Sequence, residues 1–171
     1  GYSSNGALKQ GKGSVFEGGI RVPAAIWWPQ KIESKKPFSE VVHIADMLPT
    51  LMDIAGLEVP KVDGRSLKGA LLGNTPLQRN PIVVANFDNQ AMIDWPWKIV
   101  REGSLPVMPD FLKSETWHLY NIQIDPSELE DLQEQFPERF EQMRSALLSI
   151  PTRKSVEFSL DESWDCLLYT S

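Results

Sequence analysis

The sequence predicts a small α+β subdomain over residues 79–150, preceded by a strand-and-helix segment that reads as the back half of a larger unit. Three observations carry this. Residues 20–28 are a mostly apolar run between Gly18-Gly19 and Pro29, with the length and composition of a buried strand. Residues 81–85, 97–100 and 116–120 are three sequential short β-like runs, an order that favours an antiparallel sheet. Pro137 then opens a helix in which Phe140, Met143 and Leu147 fall at i, i+3 and i+7, so one apolar stripe can cover one face of that sheet.

The elements follow in order. In the strand at 20–28, Pro23 cannot donate to a ladder and belongs near the start or on the edge. Asp46 is the expected N-cap of a helix of about ten residues, with Pro49 tolerated in its first turn and Gly56 as its stop. Leu51, Met52, Ile54 and Ala55 supply its apolar side. Residues 57–79 carry Pro60, Asp63-Gly64 and Gly73-Asn74 around Leu67, Leu71 and Leu72, which reads as loops with one short helical piece. The run 116–120 alternates polar and apolar, as a half-buried strand does. Residues 151–165 are polar and acidic and read as a tail or the start of a further element, and no internal repeat is found.

At 42% hydrophobic and 23% charged residues, the 171-residue chain has the composition of a protein with a core, far from that of disordered chains. No apolar run approaches the roughly 20 residues of a membrane-spanning helix, and no basic-then-apolar leader opens the sequence. The formal net charge of −6 is unevenly placed. Six Lys/Arg stand against two acidic residues over 1–36, whereas eleven Asp/Glu stand against four Lys/Arg over 125–165. An anion is therefore more welcome at the N-terminal end. Nucleic acid is disfavoured, because no basic stripe is interleaved with stacking aromatics and the chain is acidic overall.

The first residue is Gly1, not Met, in a Gly/Ser/Asn-rich loop. The last six residues, Cys-Leu-Leu-Tyr-Thr-Ser at 166–171, resemble the translation of a sequencing adapter and are set aside from fold reasoning, the alternative being an ordinary C-terminal strand. Without Cys166, cysteine spacing carries no information, and His43 and His118 alone give a His/Cys zinc site no material.

The stretch with chemical content is Leu8-Lys9-Gln10-Gly11-Lys12-Gly13-Ser14-Val15-Phe16-Glu17-Gly18-Gly19. A lysine between two glycines, in a loop feeding a buried strand, is a recipe for an oxyanion contact. Gly11 and Gly13 allow close backbone approach, while the Lys12 ammonium offers three donors and a full positive charge. A tetrahedral anion is the natural guest. One rival is a phosphate loop, since residues 6–12 fit G-x-x-x-x-G-K; but Gly13 stands where Ser/Thr should bind magnesium, and a strand pattern follows where a helix should. The other rival is a plain surface lysine in a flexible loop.

Gly11-Lys12-Gly13 followed by Phe16-Glu17-Gly18-Gly19-Ile20-Arg21-Val22-Pro23 resembles the second signature region of the type I, formylglycine-dependent sulfatases, close to the arylsulfatase branch. Trp28-Pro29, the run from His43 to Leu51, Ala55-Gly56, Asp63-Gly64, Trp97-Lys98, Leu119-Tyr120-Asn121 and Asp125-Pro126 follow in the family's order, so the resemblance covers residues 1–150. It implies the C-terminal part of an alkaline-phosphatase-like α/β fold: the end of the catalytic domain over 1–78 and a small antiparallel sheet plus helix over 79–150, then a tail over 151–165 and a non-native end over 166–171. The implied chemistry is sulfate ester hydrolysis, on an aryl alcohol or a carbohydrate. The implied cofactors are a formylglycine nucleophile, made from Cys or Ser in a Cys/Ser-x-Pro-Ser/Ala-x-Arg motif, and a calcium ion held by Asp and Asn side chains.

By position, Lys12 matches the family lysine that contacts the sulfate, with Gly11 and Gly13 beside it at the substrate. The nucleophile motif, the paired aspartates of the family's first strand and the Asp-Asn pair that the family has upstream of Gly11-Lys12-Gly13 do not occur in this sequence. The isolated chain is therefore expected to hydrolyse no sulfate ester and to bind no calcium specifically. The family is usually exported to the periplasm, the cell exterior or the lysosome; oligomeric state stays open. Lys9 and Gln10 stand where Arg and Gly are frequent, Gln30 where Gly is usual, and Ser127 and Asp131 where Gly and Asn are. Two alternatives remain: a phosphodiesterase or phosphonate hydrolase of the alkaline phosphatase superfamily, and a sulfatase-like binding protein with a dead site.

The other polar residues read first as structural. Glu17 and Arg21 are expected in ion pairs, and His43 and Asp46 in capping and packing. His118 reads as structural, with a place lining the substrate entrance as the alternative. Trp27, Trp28, Trp95 and Trp97 read as core or domain-interface aromatics, and 128–141 as a solvated helix approach with Glu138 suited to the first turn.

Overall fold

In the computed structural model, which describes residues 4–32, 37–38, 41–73, 75–86, 89–103 and 115–150, the organising element is a four-stranded sheet. Strands β1 (Ile82–Ala85), β2 (Gln90–Asp94), β3 (Trp97–Glu102) and β4 (Thr116–Asn121) pair antiparallel in chain order. Three of them stand where the β-like runs lie. The addition is β2, whose Gln, Ala and Met are not among the β-branched and aromatic residues that mark a strand. Pairing on both sides supplies what propensity does not, with Met92 opposite Val83 in β1 and Ile99 in β3. The pairing of Asp94 with Trp97 leaves the two-residue connection Trp95-Pro96, which contains a cis peptide bond.

Successive residues of a strand face opposite ways, so the sheet has two apolar faces. One carries Val83, Met92, Trp97, Ile99, Trp117 and Leu119 and packs against Phe140, Met143 and Leu147 of helix α4 (Pro137–Ser149). The expected stripe on that helix is the stripe that is buried, with Met143 1% exposed and Leu147 4%. Arg139 pairs with Asp94 at 2.6 Å and pins the start of α4 to the end of β2. The other face carries Ile82, Ala91, Ile93, Val100 and Tyr120, and is covered by Val15, Phe16 and Ile20 from the N-terminal segment.

The buried strand expected over 20–28 does not form. Helix α1 (Glu17–Ile20) is a single turn, and residues 21–28 beyond it have no regular pairing. Val22 is 76% exposed and Trp27 85%, so of the two expected places for Trp27, core or domain interface, it is not in the core of the described residues. A strand needs a neighbour to complete its hydrogen bonds, and among the described residues none lies beside this one. Trp95 is exposed as well, whereas Trp97 packs on the α4 face.

Between these parts, a 3₁₀ turn (Ile44–Asp46) runs into α2 (Met47–Ile54), and α3 (Lys68–Leu72) is the short helical piece in the following loops. The cap differs from expectation. His43 Nδ1 accepts from Ala45 N–H, and the Asp46 carboxylate accepts from His43 N–H at 2.7 Å in place of capping α2. Asp46 is fully buried and also accepts from Arg65 N–H at 2.9 Å and Arg79 Nη1 at 2.7 Å, so it ties three loops together. Gly56 ends α2 as expected. Its φ of +72° and the bonds Gly56 N–H to Asp53 O and Leu57 N–H to Met52 O form a Schellman motif. Residues 151–165 and 166–171 lie outside the described residues.

Candidate functional site

Residues 9–18 form a closed loop whose ends meet where Gly18 N–H donates to Lys9 O at 2.9 Å. Within it, Ser14 N–H donates to Gly11 O at 3.0 Å, and Gly13 takes φ +91°, the positive value a type II turn needs at its third position. Lys12 is therefore the tip of a β-turn. It is exposed and makes no hydrogen bond or ion pair with the described residues. Its glycines act through the turn itself, Gly11 by accepting from Ser14 and Gly13 by its φ.

After the turn the chain dives. Val15 and Phe16 are each 1% exposed, against the sheet. Gly18 and Gly19 follow so closely under the loop that a Cβ on Gly18 would meet the Lys9 and Gln10 carbonyls, and one on Gly19 the Ser14 carbonyl. The helical turn after the loop removes the strand argument against a phosphate loop, but Gly13 still stands in the magnesium-binding position and α1 is only four residues long.

Beneath the loop lies a cluster absent from the sequence reading. Lys98 of β3, fully buried, places Nζ 2.9 Å from Glu17 Oε1 and 2.7 Å from Glu128 Oε1. Glu17 N–H donates to Glu128 Oε2 at 2.7 Å, while Glu128 Oε1 is ion-paired without an aligned hydrogen bond. Burial pushes the Glu128 carboxyl above the usual glutamate range and the Glu17 charge adds to this, against the pull of Lys98 and the Glu17 N–H. Glu17 and Arg21 are in ion pairs, as expected, and one of these contacts joins the two. That contact spans 3.9 Å, and Lys98 is the closer partner of Glu17.

Lys9 completes the anchorage. Its Nζ donates to Tyr120 Oη at 2.9 Å and lies 4.4 Å from the Phe16 ring centroid. Burial, then the carboxylates of Asp131, Glu128, Glu102 and Asp125, push the Tyr120 phenol well above the usual range, so it stays protonated. His118 stacks on Tyr120 with Nδ1 2.8 Å from Asp131 and Nε2 3.1 Å from Glu102. From the hairpin side, Asn86 Nδ2 donates to Gly13 O at 2.6 Å.

Of the residues singled out in the sequence, Gly11, Lys12 and Gly13 stand together at the turn, and His43 and Asp46 belong to the separate capping knot. Lys9, Asn86 and Lys98 were given no place in the site, and Glu128, expected at the start of a solvated run, is instead buried at 1% exposure because Lys98 and the Glu17 N–H draw its carboxylate under the loop. A signal existed for Lys98, a lysine inside an apolar strand at the register position that alternates with Val100. Among the described residues, no group of three or more His, Cys, Asp or Glu is placed to hold a metal. Chemically, the site offers one exposed, full positive charge at a fixed turn, suited to an oxyanion. Among the described residues, no helix is long and apolar enough to cross a membrane.

Residues 10–151 match the family model described as N-sulphoglucosamine sulphohydrolase, C-terminal. The chain is 28% identical over 165 residues to the N-acetylgalactosamine-6-O-sulfatase of Bacteroides thetaiotaomicron, covering 90% of this chain and 32% of that protein. It is 38% identical over 74 residues to the steryl-sulfatase of Mus musculus, covering 42% of this chain and 12% of that one. A solved structure from a glycosaminoglycan-metabolism locus of Bacteroides thetaiotaomicron superposes with a TM-score of 0.68 at 27% identity, over 86% of this chain and 32% of that chain. The crystal structure of Ps i-CgsB does so with 0.65 at 29%, over 82% and 31%. The chain thus spans a third or less of the length of these relatives.

Proposed function

The chain belongs to the N-sulphoglucosamine sulphohydrolase C-terminal family, and from that membership we propose that the full-length protein hydrolyses sulfate esters, with Lys12 contacting a sulfate oxygen. The observation that carries this reading is the turn at 11–14. It presents an ammonium with no carboxylate partner among the described residues, at the position where the sulfatase pattern has its sulfate-binding lysine. As charge builds on the sulfate oxygens in the transition state, a fixed cation facing them lowers the barrier, and no reorganisation is needed at that moment.

The substrate class we assign is a carbohydrate sulfate, with an aryl sulfate as the simpler assay substrate. Support comes from the relative that matches over 90% of the chain, a sugar sulfatase by name. In this reading the formylglycine nucleophile and the calcium ion come from residues outside this sequence. The 171-residue chain alone is then inactive.

The test is sulfate release from an aryl sulfate and from 6-sulfated N-acetylgalactosamine by the full-length protein and its Lys12→Ala variant. Loss of one oxyanion donor costs about 2.7–4 kcal/mol of barrier, roughly 10²–10³ in rate. Lys12 is exposed and bonded to none of the described residues, so the thermal midpoint should not move. Equal turnover by both proteins would remove Lys12 from the chemistry, and hydrolysis of phosphodiesters in place of sulfates would move the protein to the phosphoester branch.

A further inference from the structure

The loop that carries Lys12 is held by the sheet from two sides, and neither hold uses Lys12 itself. On one side is Asn86, just past β1. Its Nδ2 donates to the Gly13 carbonyl at 2.6 Å while its Oδ1 accepts from Asn89 N–H at 2.7 Å, so the amide is oriented by the β1–β2 connection. On the other side Lys98 sits between Glu17 and Glu128, and Glu128 reaches back to the Glu17 N–H. The turn lies between these holds.

We infer that Asn86 and the Lys98–Glu17–Glu128 cluster are positioning residues that aim Lys12, making the sheet part of the sulfate site although it touches no sulfate. This rests on the assignment of Lys12 as the sulfate contact. The physical case is one of cost and direction. Three buried ionisable groups are expensive, and apolar residues of the same volume would fill the space at least as well. The ionic version adds a single allowed placement: Glu17 meets the buried ammonium and the Glu128 carboxylate together only with α1 in one position. Gly18 and Gly19 pack directly under the Lys9, Gln10 and Ser14 carbonyls, so a shift of α1 has no slack to absorb it and passes to the turn. Lys12 has a flexible stem, and the placement of its backbone sets where the ammonium can reach.

The test uses the full-length protein with Lys98→Met, Asn86→Asp, Lys12→Ala and, as a destabilised control remote from the loop, Met143→Ala. Asn86→Asp keeps the acceptor for Asn89 and loses the donor to Gly13; assays at high salt screen its added charge. Two quantities are read: kcat and KM on an aryl sulfate, and amide hydrogen exchange at Ser14 and Gly18 against Ala91 and Leu119 in the sheet.

Misplacing a transition-state contact lowers kcat with KM little changed, and roughly 10²-fold is the scale for a shift of about 1 Å. The expected result is that loss in both loop-hold variants, with faster exchange at Ser14 and Gly18 and unchanged exchange at Ala91 and Leu119. Met143→Ala should lower the thermal midpoint and leave kcat unchanged. Wild-type kcat together with wild-type exchange at Ser14 and Gly18 in both variants overturns the inference, and if Lys98→Met does not fold, Asn86→Asp decides alone. A wild type no faster than Lys12→Ala removes Lys12 from the chemistry instead, while exchange still decides whether the sheet holds the turn.

Discussion

At the scale of single residues, the loop shows how neighbours with similar chemistry divide their tasks. Lys9 and Lys12 are three positions apart, yet Lys9 is spent on Tyr120 and the Phe16 ring while Lys12 stands free of the described residues. Between them Gln10 takes φ +59°, a left-handed conformation that glycine adopts without the cost a side chain meets. Gln10→Gly should therefore raise the stability of the protein by about 1 kcal/mol, the left-handed cost less the entropy glycine brings to the unfolded chain. Urea unfolding reads this, and a fall in stability would show the Gln10 side chain to be worth more than its strain.

Asp46 offers a second residue-scale test. Burial works against its charge, but the N–H groups of Arg65 and His43 and the Arg79 guanidinium outweigh it and hold the carboxyl below the usual aspartate range. A carboxyl whose value is lowered on folding stabilises the protein above its unfolded value, near 4, and that contribution drains away as pH falls through the folded value. Asp46→Asn, lacking the titration, should lose less stability than wild type on going from pH 7 into acid. At pH 7 it starts lower, by about 3–5 kcal/mol, because Arg79 loses its partner. Parallel acid limbs in urea titrations across that range would sink the argument. The acidic knot was half visible in the sequence: Asp46 was marked as a cap and does accept from His43 N–H three residues before it, but its other two partners lie 19 and 33 residues away, beyond any local rule.

At the scale of elements, legibility follows how much of an element's stability is local. The stripe of α4 repeats at helical spacing with Pro137 ahead of it, so it could be read residue by residue. Met143→Ala should destabilise by about 2–5 kcal/mol, since its side chain is 1% exposed between α4 and the sheet; a smaller loss would mean that the site collapses on itself. The Schellman end of α2 was legible for the same reason, Gly56 being the residue that such an end requires. By contrast, β2 exists because β1 and β3 flank it, and Gln90, Ala91 and Met92 give no hint of that. The run at 20–28 fails in the opposite direction. Its apolar residues describe a buried environment, and a pattern that reports an environment cannot say which neighbours provide it.

At the scale of the whole molecule, the sheet is covered on both faces by segments of opposite sequence character. One cover is α4, a regular helix close in sequence to β4. The other is the lysine loop, irregular and far away. The sequence resemblance reached the second cover through the glycines and Lys12, yet nothing in it told that the loop rests on Lys98, Glu128 and Asn86. Those contacts join residues 73 to 119 positions apart, and composition and spacing are blind to such distances.

Those separations also set a timetable. The partners of Lys9 and Glu17 lie 111 residues later in the chain, so at about 5–20 residues per second the loop leaves the ribosome on the order of ten seconds before its anchors. Until then Phe16 and Val15 have no sheet to enter and the turn has nothing to hold it. Protease cleavage within residues 9–18 of stalled nascent chains should persist until Glu128 has emerged and cease afterwards. The loop that carries Lys12 is thus made well before the sheet it rests on, and its folding waits for a residue 111 positions further along.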